Sequence, residues 1–329
     1  MSALRQPLLR AAVLREGDVL IIGGRPDSYE VRVEPELVSR VERFLRSMDG
    51  TRPAGALADA AGIDSGKVER LVSALDSQGL LSDAAPVTAA AGTTVLLELE
   101  DLTSRLLYET LYRNPYWQAM QQTSQPVPEQ VLYGTIVENY HFLFRESWFD
   151  APVLSYPYSR GARVHLIEFF AEETGHDELI LRSLVRLGYS RDDLADTLPL
   201  QSTAALCNAL AWWSRTDPLF FITTIGVLEG RDLAVDSFVL ACERQGIDPL
   251  VVGPMRRHSE INLQGGHGSL TRQVFAEIPA VDAATVARLH AQTHLFVELY
   301  DNFYRGIWEH YLTAPALLRR ISVLTGEEA

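Results

Sequence analysis

Three separated segments carry the residues whose types and spacing could do chemistry. In "EETGHDELI", residues 172–180, the carboxylates Glu172 and Glu173 stand four and three places ahead of His176. In "FFITTIGVLEG", residues 220–230, Glu229 arrives within a mostly apolar run beside Ile225, Val227 and Leu228. In "HSEINLQGGHG", residues 258–268, His258, Glu260, Asn262 and His267 are all ligand-capable. Imidazole and carboxylate together suit iron and manganese. The ordinary reading of a lone acidic pair is a solvated helix face. A carboxylate buried among apolar side chains must instead be paired, protonated or metal-bound.

Helices must position these groups. His165, Glu168, Glu172 and His176 are spaced to share one helix face, beside an apolar face with Leu166, Phe169, Phe170 and Leu179. Glu173 lies ~60° from His176 on the same helix, within shared-ligand reach. On a continuous third helix His258 and Asn262 share a face, and Glu260 and His267 share another. A kink at Gly265 and Gly266 brings His267 round towards His258, and each glycine costs about 1 kcal/mol in a helix interior.

Residues 95–329 read as helical throughout. The predicted helices cover residues 95–114, 128–150, 160–188, 202–216, 218–246, 255–278 and 283–312, without strand-like alternation. One all-α, bundle-like domain follows, so the fold class is mainly α. Residues 84–94, "AAPVTAAAGTT", read as a linker. Residues 1–83 read as a small α+β domain. "DVLIIGG" and "YEVRV" are strands around a turn, and three short helices follow. Leu37, Val41, Phe44, Leu45 and Met48 make one inner stripe, and Val68, Leu71, Val72 and Leu75 another. Asp64 or Ser65 is the expected N-cap of the third helix. Strands and then helices closing on "QGLL" form the pattern of a winged helix-turn-helix.

Charge narrows the function classes. The 329 residues carry 29 Lys and Arg against 43 Asp and Glu, a formal net charge of −14. Nucleic acid and anionic membrane both favour a basic surface, so neither is an expected partner. The third helix mixes Lys67 and Arg70 with Asp64, Glu69 and Asp76, which is no phosphate-binding face. No run of ~20 apolar residues predicts a membrane span. The N-terminus makes a poor signal peptide, and two cysteines make no disulfide framework, so a cytoplasmic location is expected. Cys207 and Cys242 read as small core residues.

The N-terminal segment resembles the peptide-recognition winged helix of ribosomal-peptide biosynthesis, through its paired strands, "FLRSMDGTRPAGALADAAG" and "VERLVSALDSQGLLSD". That resemblance implies a leader peptide, or a peptide-derived substrate, bound as an added strand. Residues 95–312 resemble the heme-oxygenase-like fold, nearest its non-heme iron oxidases and oxygenases and its pyrroloquinoline quinone synthase and thiaminase II branches. The carrying residues run from "NYHFLFRESWFD" through "EETGHDELI", then "GVLEG" and "RRHSEIN". The iron resemblance implies Fe(II), one or two ions, with O2 as co-substrate. The implied ligands are Glu173 (or Glu172), His176, Glu229 and His258. The family closes with His-x-x-x-Asp-x-x-His. Here Asn262 stands at the aspartate and Gly265 at the last histidine, His267 comes two residues late, and Glu260 is the alternative acid.

The quinone synthase branch implies a metal-free oxidase instead. Its substrate pocket would draw on Glu138, Tyr140, His141 and Arg145, with Tyr156 and Tyr158. A third reading is a non-catalytic peptide-binding partner protein. Heme is not expected, because residues 95–114 offer no axial histidine. The oligomeric state stays open, a homodimer among the options.

Overall fold

The computed structural model describes residues 6–23, 28–84, 89–122, 126–156, 159–229, 236–265 and 269–326, the side chains of 262–265 excepted. Two compact units result: Met1–Tyr112 with Ala280–Val297, and Arg113–Pro279 with Glu298–Ala329.

In the first unit, alternation of apolar residues sets three strands side by side. β2 (Val13–Glu16), β3 (Val19–Ile22) and β4 (Tyr29–Arg32) form an antiparallel sheet in the order β2-β3-β4. Gly17, at φ +66°, makes the tight β2–β3 turn. β1 (Pro7–Leu9) pairs antiparallel with β5 (Leu81–Asp83). Helices α1 (Val38–Arg46), α2 (Ala54–Ala61) and α3 (Ser65–Ser77) lie between them in sequence. Leu20 and Ile22 of β3 join Val41, Phe44, Leu45, Met48, Val68, Val72 and Leu75 in one buried core. Both predicted stripes are in it, with Leu37 and Leu71 partly buried at its margin. Asp64 caps α3, its carboxylate accepting from Lys67 N at 3.0 Å.

Residues 84–94 include β6 (Ala89–Ala90), which pairs with β7 (Val281–Asp282), and the start of α4 (Gly92–Glu109). Polar contacts tie α4 to the strands. Arg10 Nε donates to Asp101 Oδ2 at 2.6 Å, and Val13 N donates to Glu109 Oε1 at 3.3 Å.

The second unit is built from helices. They are α5 (Pro115–Gln121), α6 (Glu129–Leu143), α7 (Glu146–Val153), α8 (Arg160–Glu173), α9 (His176–Arg186), α10 (Arg191–Ala195), α11 (Gln201–Thr216), α12 (Pro218–Leu228), α13 (Ser237–Arg244), α14 (Pro249–Gly265) and α15 (Leu270–Ala276). α16 (Ala283–Tyr311) contributes residues to both units, and α17 (Ile321–Thr325) follows it. The helical reading holds, and the molecule is mainly helical. Several predicted helices are nevertheless divided or shortened. Residues 128–150 divide into α6 and α7, 160–188 break at Thr174 and Gly175, 218–246 divide into α12 and α13, 255–278 fall partly in α14 and partly in α15, and α4 ends at Glu109, short of 114. α9 packs on α6 and α14, α7 on α11, α11 on α12, and α15 on both α8 and α12. Among the described residues no helix is long and apolar enough to cross a membrane.

A buried polar network fixes α6 against the start of α11. Glu138, fully buried, accepts from Leu200 N at 3.0 Å and Thr203 Oγ1 at 2.5 Å through Oε2. Its Oε1 accepts from the Tyr311 hydroxyl at 3.0 Å. Burial raises its pKa, and these donors oppose the rise. His141 Nε2 meets Thr197 Oγ1 at 3.1 Å, while Arg145 donates to the His141 carbonyl at 2.7 Å. Burial first, then Arg145 and Arg319, push the His141 imidazole down to about 4 from 6.5.

Two predictions follow from this packing. A Cβ on Gly134 would fall against the Tyr311 ring, whereas Gly55 in α2 faces open space. Gly134→Ala should lower stability by about 1–3 kcal/mol from overpacking, and Gly55→Ala should raise it by up to about 1 kcal/mol, both read by urea denaturation. His141 is held neutral in the fold, so its contribution is complete above pH 6.5 and is lost as pH falls towards 4. Between pH 7 and pH 5 the wild type should lose about 1–2 kcal/mol more than His141→Gln in the same assay.

Candidate metal centre

The ligand-capable side chains stand mostly at helix ends. Ser159 caps α8, its hydroxyl accepting from Ala162 N at 3.1 Å, and the helix runs to Glu173. Gly175, at φ +95°, then turns the chain, and α9 starts at His176. A side chain at that φ would be strained, so the glycine permits the corner. Glu173 and His176 flank it, 1% and 4% exposed, with His176 Nδ1 2.5 Å from Glu173 Oε2. Glu229 is the C-cap of α12. Glu173 and Glu229 thus both sit at helix C-termini, where the macrodipole adds negative charge to theirs.

α14 supplies the second imidazole, and its register is set some way off. Ser183 Oγ in α9 donates to Val251 O in α14 at 2.7 Å. The helices run antiparallel. His176 lies seven residues before Ser183 and His258 seven residues after Val251. Seven residues rise ~10.5 Å along each axis, so that hydrogen bond brings the two rings level. Their centroids are 4.8 Å apart, with planes at 85°.

Two ligand groups result. Glu173, His176 and His258 offer atoms that all lie within 4.8 Å of one another, and so do Glu146, Glu173 and Glu229. Glu173 belongs to both. Glu146 opens α7, and Asp150 follows one turn later, 8% and 3% exposed. Burial drives both carboxyls well above their ordinary range. Neighbouring carboxylates add to the shift: Asp150, Glu173 and Glu229 for Glu146, and Glu173 and Glu229 for Asp150.

Sequence reasoning singled out neither Glu146 nor Asp150. The signal was there in "RESWFDAPV", two acids one turn apart beside Phe149 and Val153, both of which are buried. Four of the expected ligands, Glu173, His176, Glu229 and His258, are brought together in the two groups. Glu172 is exposed. His165 and Glu168 pair on the surface at 3.8 Å. Glu260 is exposed and pairs with Arg257 at 3.8 Å. The Asn262 side chain, His267 and Tyr158 lie outside the described residues.

Of the expected substrate pocket, Glu138, His141 and Arg145 belong to the network at the start of α11. Tyr140 is buried and stacks on Phe144 at 5.8 Å. Neither ligand group includes any of these four. Cys207 and Cys242 are buried, and burial pushes both thiols up to about 12, so neither is a thiolate nucleophile at neutral pH.

The donor set fits a divalent transition metal. Carboxylates and imidazoles converge from several helices, as in bundle-core metal sites. Asp150 adds an unmet demand. Its Oδ2 is buried and has no hydrogen-bond partner among the described residues.

No protein-family model matches the chain, and no curated protein matches it. A crystal structure of a domain of unknown function from Shewanella denitrificans OS217, described as having a heme oxygenase-like fold, is similar with a TM-score of 0.51. The similarity covers 67% of this chain and 93% of that one, at 16% sequence identity. It shows a heme oxygenase-like fold for this chain.

Proposed function

We propose that this chain is an O2-dependent non-heme iron oxidase or oxygenase acting on a peptide or peptide-derived substrate in ribosomal-peptide natural-product biosynthesis. One observation carries the reading: Glu173, His176, Glu229 and His258 fall into two overlapping ligand groups, with Glu173 and His176 buried and Glu229 and His258 half-buried, within a heme oxygenase-like fold. Fe(II) held there supplies the redox chemistry with O2 that side chains alone do not. Glu173 is the common anionic donor, His176 and His258 donate ring nitrogens, and Glu229 adds a second carboxylate. Burial of Glu173 and His176 lowers the dielectric around them, which strengthens their interaction with a cation.

The N-terminal elements support delivery of a peptide by strand addition. The two edges of the three-stranded sheet differ. On β2, Val13 is engaged through its N–H by Glu109 and through its carbonyl by Arg46 at 2.7 Å. Among the described strands β4 pairs only with β3, so its other side is the edge for an added strand. The mixed charge of α3, Lys67 and Arg70 against Glu69 and Asp76, argues for a peptide over DNA at this module.

Metal analysis after anaerobic loading tests the main reading. Wild type should retain stoichiometric Fe(II), and His176→Ala and Glu229→Ala should each weaken retention more than about tenfold. Iron-free protein that still consumes O2 with substrate would favour the metal-free quinone-synthase type of oxidase. Protein with neither iron nor O2 uptake that still binds peptide would be a binding partner only. For the peptide, alternate N–H groups of an edge strand point outward. One of Glu30→Pro and Val31→Pro should therefore abolish enrichment of phage-displayed peptides on the full chain while leaving its iron content unchanged. Equal enrichment on both variants would sink the strand-addition reading.

A further inference from the structure

The third-helix positions expected to complete a two-metal site are Asn262 and Gly265, which bring no charge. A helix that the sequence pattern left unused, α7, turns two acids into the same cluster. Glu146 shares a ligand group with Glu173 and Glu229, its atoms within 4.8 Å of theirs. Asp150 follows one helical turn later on the same helix. It is 97% buried, since its exposure is 3%, and its Oδ2 has no hydrogen-bond partner among the described residues. A buried carboxylate oxygen left without a donor is costly, and a cation answers that cost directly.

We propose that α7 supplies a second divalent-metal position. Glu146, Asp150 and Glu229 hold the second ion, and Glu173 is shared with the position formed by His176 and His258. This deepens the iron-site reading and rests on it. The two positions are chemically unequal. One has two imidazole nitrogens and a carboxylate, and the other has carboxylate oxygens alone. Oxygen-only donors suit hard ions such as Mn(II), whereas imidazole favours ions later in the divalent series. The nitrogen-containing position therefore takes Co(II) or Zn(II) first, and Mn(II) enters both. The acids that the third helix lacks come instead from an earlier helix.

The test uses Mn(II) on metal-stripped, full-length protein without oxygen. Equilibrium dialysis with metal analysis counts ions, and electron paramagnetic resonance reports whether they are coupled. Wild type should bind two Mn(II) per chain and give the broadened spectrum of an exchange-coupled pair. Glu146→Gln/Asp150→Asn should bind one, with the resolved six-line spectrum of an isolated ion. Removing two acids from a buried acidic cluster relieves repulsion, so this metal-free variant should melt no lower than wild type. If it misfolds, the wild-type spectrum decides alone. A coupled pair supports the second position, and a single six-line signal at saturating Mn(II) overturns it. Two coupled ions in a folded double variant also overturn the assignment to α7. A wild type that binds one ion, lost in His176→Ala, removes the second position and leaves the proposed iron function standing. A wild type that binds none removes both.

Discussion

Like charge confined to a small buried volume is the constraint on which this helical unit turns. Ionised carboxylates whose ligand atoms lie within 4.8 Å of one another repel by about 3 kcal/mol a pair at an effective dielectric of ~20. Glu146, Glu173 and Glu229 make three such pairs, or about 10 kcal/mol, on the scale of the ~5–15 kcal/mol that holds a whole domain folded. The cluster is therefore fully ionised only when a cation neutralises it. Burial and this repulsion together push the Glu146 and Asp150 carboxyls upward. Hydrogen bonds away from the site keep the helices in place in either state. Ser183 ties α9 to α14, and Thr271 Oγ1 ties α15 to Ile222 O of α12 at 2.9 Å. The carboxylates are held by a frame that does not depend on their own mutual contacts.

Glu138 shows what a carboxylate looks like when burial serves structure alone. It is more buried than Glu146 or Glu229 of the cluster, yet both its oxygens accept, from Leu200 N, Thr203 and Tyr311. Its charge is met by hydrogen bonds at the start of α11, where the helix dipole also favours an anion. Asp150 lies in the same unit and is nearly as buried, but its Oδ2 accepts nothing among the described residues. The two carboxylates are told apart by whether donors surround them: Glu138 is met by hydrogen bonds, and Asp150 is the one assigned to the proposed second metal position.

The N-terminal stripes, the helical character of the second unit and four of the clustered ligands were legible because each rests on local periodicity or residue type. Val68, Val72 and Leu75 recur at helical spacing and are buried together. Glu229 was conspicuous because apolar neighbours make a carboxylate costly. The interruptions were not legible. Thr174 and Gly175 sit inside an uninterrupted helical pattern, and one glycine is compatible with a helix that continues or one that turns. The stripe of His165, Glu168, Glu172 and His176 assumed continuity. The corner at Gly175 leaves His165 and Glu172 off the site and keeps Glu173 with His176. Glu146 was hidden for the same reason, since its role depends on α7 being separate from α6.

Those interruptions account for the chemistry available here. A side chain in mid-helix approaches a neighbour only along fixed rows three and four residues apart. Ligands at a helix end escape that restriction, because the chain can turn and present consecutive elements to one point. Glu173 ends α8, His176 starts α9, Glu146 starts α7 and Glu229 follows α12. His258 and Asp150 come from helix interiors, and His258 depends on the α9–α14 register to arrive level with its partner. The cost of this arrangement is electrostatic, since two carboxylates sit at the helix ends that disfavour them. That cost is largest in the metal-free state and falls when a cation binds. On the proposed reading, α7 brings the acids that Asn262 and Gly265 do not, and the repulsion between the clustered carboxylates, more than the fold, favours a bound cation.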